Sequence, residues 1–120
     1  MSSQHNKLDG LFQEIGLKRA HYTSVVSGAR ATVIHHFYGR RNHATRWYLP
    51  NAIALTNDEH ERIHNQDKKY LNDLIREKLG DEWFNNLQKT SHQTAKYYSF
   101  QDVLDHLQGK SKHYIKNWDL

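Results

Sequence analysis

The spacing of apolar residues near the start of the chain is typical of an amphipathic helix. Leu8, Leu11, Phe12 and Ile15 recur at intervals of three and four residues, which places them on one face of a helix. Gly16 follows the last of them, and glycine commonly stands just after the end of a helix. The pattern therefore predicts a short N-terminal helix that stops at Gly16.

Two segments rich in strand-forming residues come next and predict a hairpin. Residues 32–38 (TVIHHFY) are mostly β-branched or aromatic and precede a glycine, which suits a strand. Residues 52–55 (AIAL) are a short apolar run that suits a second strand. The polar and basic residues 40–50 between them predict an irregular loop. Ahead of the hairpin, residues 24–28 predict a strand fragment and a turn.

A well-marked helix begins at Thr56. Thr56 and Glu59 have the spacing of a capping box, in which each side chain bonds to the other residue's backbone amide. A break near Asn65 ends this helix, and further apolar stripes predict helical structure in the C-terminal half. These stripes comprise Tyr70, Leu71, Leu74, Ile75 and Leu79, then Trp83, Phe84 and Leu87, and finally Val103, Leu104 and Leu107 after a cap at Ser99.

These elements predict an α+β fold that is mainly helical. An N-terminal helix precedes a ββα core of hairpin plus helix over residues 25–65, and a helical extension follows over residues 66–108. Residues 109–120 show no clear pattern and are assigned to a tail. A chain of 120 residues is long enough for one hydrophobic core and too short for two, so we predict a single domain over residues 1–120.

Composition narrows the classes of function. The chain has no cysteine, which excludes disulfide staples, thiolate zinc sites and a cysteine nucleophile, so a metal would need His, Asp, Glu or Asn ligands. No apolar run approaches the length of a membrane span, and residues 1–10 lack the pattern of a signal peptide. We expect a cytoplasmic protein with no membrane partner.

Positive charge is concentrated in the first half of the chain. Residues 1–50 carry seven basic and two acidic side chains, for a net charge of +5, whereas residues 51–120 have a net charge of −1. Three arginines fall within residues 40–46. This distribution favours a polyanionic partner such as a nucleic acid, and the alternative is an ordinary solvated basic face.

Four histidines have the spacing of a metal site. His60 and His64 are four residues apart on the capped helix, so both imidazoles can reach one ion. His35 and His36 are consecutive, and adjacent residues of a regular strand point to opposite faces. One can be a third ligand and the other a base only if the strand twists or ends there. The alternative is that one of them packs in the core and the other is exposed.

Such a set contains the parts that phosphodiester hydrolysis requires. An ion held by three neutral imidazoles keeps its full charge and an open position for the phosphate. A fourth imidazole that is not a ligand can accept the proton of a water near neutral pH.

Three segments together resemble the HNH motif of the ββα-metal, or His-Me finger, endonucleases. They are residues 35–41 (HHFYGRR), 49–55 (LPNAIAL) and 59–64 (EHERIH). The pairing of His-His with His-x-x-x-His is similar to that of the colicin-type DNases. The layout, with a helical extension after the motif, is similar to phage recombination endonucleases of the NinG type. The resemblance covers residues 25–65 and is faint beyond them.

The resemblance implies a role for each motif residue. His35, His60 and His64 would bind one divalent metal ion, and His36 would be the general base. Asn51 would brace the loop and orient His36, although in some relatives this Asn binds the metal itself.

The loop between the strands would contact the nucleic acid. Arg40, Arg41 and Arg46 would bind phosphates, because guanidinium donors match phosphate oxygens in pairs. Trp47 beside them would stack on bases of an opened strand, with packing of the hairpin as the alternative.

The chain departs from many relatives in one respect. Those relatives carry paired cysteines that bind a structural zinc around the motif, and residues 25–28 and 56–59 stand in their places here. The hairpin must then be held by packing, for which Trp47, Tyr48 and the C-terminal helices are candidates.

The resulting hypothesis is an HNH endonuclease, a hydrolase that cuts DNA in phage-type recombination or processing and leaves 5′-phosphate and 3′-hydroxyl ends. Its cofactor would be one divalent ion, Mg²⁺, Mn²⁺, Ni²⁺ or Zn²⁺. The alternatives are a non-catalytic, metal-stabilised nucleic-acid-binding module and an HNH-type RNase, because a metal site senses only the phosphate. A homodimer is the default if both strands are cut.

The remaining histidines match no role in this hypothesis. We expect them on the surface: His5, His21, His43, His92, His106 and His113.

Overall fold

The structure, a computed structural model, describes residues 3–93 and 99–110 of the chain. Within these residues it has an α+β fold that is mainly helical, as predicted, with one antiparallel hairpin. None of the described helices is long and apolar enough to cross a bilayer. The elements in chain order are α1 (Ser3–Arg19), β1 (Val33–His36), β2 (Ala52–Leu55), α2 (Asn57–Asn65), α3 (Lys68–Leu79), α4 (Asp81–Ser91) and α5 (Phe100–Leu107).

The hairpin pairs four residues of each strand. His35 lies opposite Ile53 and His36 lies opposite Ala52. β1 ends at His36, earlier than the predicted end of the strand, because the backbone then turns away to form the loop. The predicted strand fragment at residues 24–28 is wrong: this segment is a turn, joined to β2 by the hydrogen bond that the Val25 amide donates to the Ala54 carbonyl.

The two faces of the hairpin pack against different helices. Ile34 and Ala54 face a cluster formed with α1 and α5, whose largest members are Phe12 and Trp47. Ile53 and Leu55 face a second cluster formed with α2 and α3. The alternation of side chains along a strand therefore sends neighbouring residues of β1 towards different helices.

The N-terminal helix is longer than predicted. It does not stop at Gly16 but continues to Arg19. Gly16 is buried where the helix crosses the hairpin, and a Cβ atom there would lie 3.1 Å from both Ala52 Cβ and Ile34 Cδ1. The glycine therefore allows a close approach of helix and hairpin. In the sequence, a glycine placed after an apolar stripe for this reason looks the same as one that ends a helix.

The predicted helix caps in the second half are confirmed. Thr56 and Glu59 form the complete capping box, and α2 ends at Asn65. The Ser99 hydroxyl accepts a hydrogen bond from the amide of Asp102 at the start of α5. Trp83 and Phe84 belong to α4, an 11-residue helix, as their apolar stripe predicted. Of the predicted tail, residues 111–120 lie outside the described residues.

Candidate metal centre

Three histidines from two elements meet beside the hairpin. His35 is on the α2-facing side of β1, and His60 and His64 are one turn apart on α2. Each offers a ring nitrogen, and these three atoms all lie within 4.8 Å of one another. The Nε2 atoms of His60 and His64 are 3.0 Å apart. The structure thus brings together the three residues predicted as metal ligands.

The electrostatics of this cluster favour neutral rings. Burial lowers the pKa of His35 to about 3, and the neighbouring charges of His60 and His64 act in the same direction. Burial and the proximity of His64 also lower the pKa of His60. Neutral imidazole is the form that binds a metal, because its ring nitrogen then has a free lone pair. Three imidazole nitrogens this close together fit a divalent ion of the nickel or zinc type.

His36 points to the other face of the hairpin. Its ring stacks on that of Phe12 in α1, with centroids 4.7 Å apart and planes inclined by 21°. Burial lowers its pKa to about 4, although the charge of Asp9 and a hydrogen bond with the backbone of Arg46 act in the opposite direction. The ring is therefore neutral near pH 7.

One nitrogen of His36 has no protein partner. Its Nε2 atom is buried and makes no hydrogen bond in the described structure. An unsatisfied buried polar atom costs about 1–3 kcal/mol, so such atoms are uncommon outside functional sites. The bond with the Arg46 backbone fixes the ring and leaves Nε2 available as a proton acceptor.

Asn51 holds the two ends of the intervening loop together. Its side-chain oxygen accepts a hydrogen bond from the Tyr38 amide at 2.8 Å, and its Nδ2 donates to the carbonyls of Tyr38 and Thr45 at 3.0 and 3.1 Å. The side chain is fully buried. Asn51 therefore positions the loop next to His36. None of these three hydrogen bonds is to the His36 ring.

One cavity of about 650 Å³ connects the two sides. His36 borders it together with all three histidines of the cluster, because β1 ends at His36 and the chain opens there. Its rim carries two of the predicted phosphate-binding residues, Arg40 and Arg41, both exposed. The remaining lining includes Asp9, Phe12 and Gln13 from α1, together with His43.

Two residues predicted to bind nucleic acid are buried, although Arg46 also borders the cavity. Trp47 is fully buried, and its Nε1 donates a hydrogen bond of 2.8 Å to Asp9. Arg46 is 5% exposed, and its Nε and NH2 atoms bond to the two oxygens of Asp9 at 3.1 and 2.7 Å. Stacking of Trp47 on a base is therefore wrong, and Arg46 is engaged in holding α1 against the loop.

A hydrogen-bonded network joins the turn before the hairpin to the start of α2. The Ser24 hydroxyl donates to Glu59 Oε1 at 2.6 Å, and the Thr56 amide donates to the same oxygen at 2.9 Å. Glu59 is buried. Burial raises the pKa of its carboxyl, but bonds from Ser24 and Ser27 outweigh this and leave the pKa below its ordinary value. The turn before the hairpin is thus joined to the start of α2 without a metal.

Asp9 and Phe12, the α1 residues beside His36, were not predicted as part of the site. One signal was present: an acidic residue stands within the apolar stripe of α1, where a partner is needed. Lys68, the first residue of α3, was also missed, and its charge acts on His35. Nothing in the local sequence distinguishes it from other surface lysines.

The remaining histidines agree in part with the expectation of surface positions. His21, His43 and His92 are exposed. His5 is half-buried, and the surface position predicted for His106 is wrong, because it is buried and its Nε2 accepts a hydrogen bond from the Leu49 amide at 3.2 Å. His113 lies outside the described residues.

Comparison with known proteins adds no relative to this picture. No protein-family model matches the chain, no curated protein is significantly similar to it, and no solved structure matches it. Function must therefore follow from the chemistry of the cavity itself.

Proposed function

We propose that the chain is a metal-dependent endonuclease of the HNH type that hydrolyses phosphodiester bonds of DNA. The observation that carries the proposal is the pairing of two unlike sites on one cavity. Three imidazoles converge on one side, and a fourth imidazole with an unpartnered nitrogen stands on the other. A purely structural metal site gains nothing from the fourth.

The ligands of the proposed ion are His35, His60 and His64. When bound, a divalent ion supplies the positive charge that stabilises a phosphate and a departing oxygen. The lowered pKa values of His35 and His60 keep these two rings free of protons that would compete for the site. His35 is held by the hairpin and the other two by the capped helix, so the donor set is positioned by secondary structure.

His36 is the general base of this proposal. Its Nε2 accepts a proton from a water molecule as the water oxygen bonds to phosphorus, and the bond from phosphorus to the 3′ oxygen breaks. The leaving oxygen takes a proton from solvent, and His36 returns its own to solvent. The products are a 5′-phosphate and a 3′-hydroxyl, the outcome implied by the resemblance to HNH enzymes. Stacking on Phe12 and the Arg46 backbone hold the ring in place.

Arg40 and Arg41 bind phosphates at the rim of the cavity. Both are exposed, and a guanidinium presents paired donors that match phosphate oxygens. The choice of DNA rests on the resemblance alone, because none of these groups contacts a base or a 2′-hydroxyl.

The test is nicking of supercoiled plasmid by the full chain with Mg²⁺, Mn²⁺, Ni²⁺ or Zn²⁺, and with a chelator. We expect nicking that needs metal, is lost in His36→Ala and is retained in His92→Ala, which removes an exposed histidine that does not line the cavity. An RNA substrate run in parallel distinguishes a DNase from an RNase. Binding of nucleic acid without cleavage of plasmid, branched DNA, single-stranded DNA or RNA would refute the proposal and favour a binding module.

A further inference from the structure

One hydrogen bond decides which nitrogen of His36 can act as a base. Nε2 has no hydrogen-bond partner among the described residues, so the bond with the Arg46 backbone is made by Nδ1. That bond acts to raise the pKa of His36, as an acceptor of the ring proton does, so the backbone group is the carbonyl. Nδ1 therefore carries the proton of the neutral ring, and Nε2 keeps the lone pair that a general base requires.

The residue that supplies this carbonyl is itself held from α1. The guanidinium of Arg46 binds Asp9 through two hydrogen bonds, from Nε to Oδ1 at 3.1 Å and from Nη2 to Oδ2 at 2.7 Å. Trp47 Nε1 donates to Asp9 Oδ1 at 2.8 Å. Paired bonds between a planar guanidinium and a carboxylate fix the orientation of both groups as well as their distance. One carboxylate of α1 thus holds two consecutive residues of the loop next to His36.

Asp9 stands one turn before the residue on which the His36 ring stacks. Phe12 follows it by three positions on α1, which places both side chains on one face of the helix. Both also line the cavity together with His36. The helix therefore contacts the base directly through the ring of Phe12 and indirectly through Arg46.

Stability alone does not account for the Asp9–Arg46 pair. The two side chains are only 18% and 6% exposed. A buried ion pair contributes little net stability, because the cost of removing both charges from water offsets their attraction. Apolar side chains would also join α1 to the loop, but they lack the directional geometry of a paired guanidinium. The residue that receives this direction is the one that bonds to His36.

We propose that Asp9 is a positioning residue of the site: by binding the Arg46 guanidinium, it holds the Arg46 carbonyl against Nδ1 of His36 and keeps Nε2 as the proton acceptor. This inference rests on the proposed function, because it concerns the base of that same site. It makes α1 part of the site, although the resemblance to HNH enzymes covers only residues 25–65.

The experiment determines the tautomer of His36 by ¹⁵N NMR of the full chain in a chelator near pH 7, where the ring is neutral. The chemical shifts of the two ring nitrogens report which of them carries the proton, and no cleavage is needed. The His36 signals are those absent from His36→Ala. We expect the Nδ1–H form in the unmodified chain and a mixture of both tautomers in Asp9→Asn. Arg46→Lys keeps the positive charge but loses the paired geometry, so it should give a similar mixture.

Glu59→Ala is the matched control. It removes a buried carboxylate acceptor on the opposite side of the hairpin, and thermal melting compares its loss of stability with that of Asp9→Asn. We expect Glu59→Ala to keep the Nδ1–H form. A mixture of tautomers in the unmodified chain or in Glu59→Ala would overturn the inference, as would an unchanged tautomer in Asp9→Asn, even if plasmid is nicked. A tautomer that depends on Asp9 in a chain that nicks no substrate would support the positioning and refute the nuclease.

Cleavage kinetics test whether Asp9 acts through Arg46. Displacement of a reacting group by about 1 Å costs about 10²-fold in rate. We expect Asp9→Asn to lower kcat by about 10²-fold without raising KM, while Glu59→Ala keeps kcat. The double variant with Arg46→Lys should be no slower than either single variant, because both changes break the same link. Losses that multiply in the double variant would show two independent roles and overturn the link through Arg46.

Discussion

The two sides of the hairpin contain similar residues in different arrangements. On the α2 side, His35 meets two other imidazoles, while on the α1 side His36 meets an aromatic ring and a backbone group. Each side also has a largely buried carboxylate. Glu59 accepts hydrogen bonds from neutral donors only, whereas Asp9 is bound by a guanidinium.

In the proposed nuclease this difference would separate metal binding from general-base catalysis, two roles that adjacent residues could not both have on one face. The α2 side brings nitrogens together, as a metal requires, and the α1 side holds a single imidazole away from them. Strand alternation accomplishes the separation, and the end of β1 at His36 lets both sides border the same cavity.

The largest effect should come from His36→Ala. General-base catalysis contributes about 10²–10⁴-fold to a rate, so single-turnover cleavage should fall by that factor. Metal affinity, measured by calorimetry, should change little because His36 lies on the opposite face of the hairpin from the ligands. A parallel fall in metal affinity would show that His36 is a ligand, and the separation of tasks would then be wrong.

His60→Ala should produce the converse result. Loss of a group that only hydrogen-bonds to a metal ligand costs about 10–100-fold in metal affinity. Loss of a direct ligand should cost at least as much. Activity should fall at limiting metal and recover in part when the metal concentration is raised. Failure of excess metal to restore any cleavage, with the metal shown to be bound, would contradict a role limited to binding the ion.

The sequence predicted the α2 side better than the α1 side. Two local signals define α2, the capping box and the four-residue spacing of His60 and His64, and local hydrogen bonds determine both features. The opposite directions of His35 and His36 follow from strand geometry. Their convergence on one cavity was not predictable, because it depends on where β1 ends.

The roles of Arg46 and Trp47 depend on a residue distant in sequence. Arg46 has the same local context as Arg40 and Arg41, but its partner Asp9 precedes it by 37 positions. The sequence of a basic loop does not reveal which of its arginines is buried against a carboxylate of α1. The same limitation explains the error at Gly16, whose buried position results from the crossing of α1 and the hairpin.

Asp9→Asn should cost about 2 kcal/mol of stability, because hydrogen bonds to charged groups are worth about 1.5–3 kcal/mol. The amide retains one acceptor oxygen, but its NH₂ group faces a buried guanidinium that needs an acceptor. Urea unfolding at neutral pH measures this loss. Arg40→Ala is the control, because Arg40 is the more distant partner of Asp9 and is largely exposed.

The Asp9→Asn effect should depend on pH. Burial raises the pKa of Asp9, but bonds from Arg46 and Trp47 outweigh it, so the folded pKa lies below the ordinary value of 3.8. The stabilisation is therefore complete above pH 3.8 and declines as the pH falls through the folded pKa. The two proteins should converge in stability at acidic pH, and a constant difference down to the folded pKa would contradict this account.

Glu59→Gln should have the smallest effect, below about 1 kcal/mol, because glutamine keeps an acceptor oxygen for the bonds from Ser24 and Thr56. Ser24 and Thr56 donate to Glu59 Oε1, and neither donor is charged. Glu59→Ala removes the acceptor and leaves both donors without it, so it should cost about 2 kcal/mol in the same urea experiment. If Glu59→Gln costs as much as Asp9→Asn, the negative charge itself stabilises the α2 side. The negative charges of Glu59 and Asp9 would then stabilise the fold equally. The contrast between the uncharged donors to Glu59 and the guanidinium bound to Asp9 would not distinguish the two sides of the hairpin.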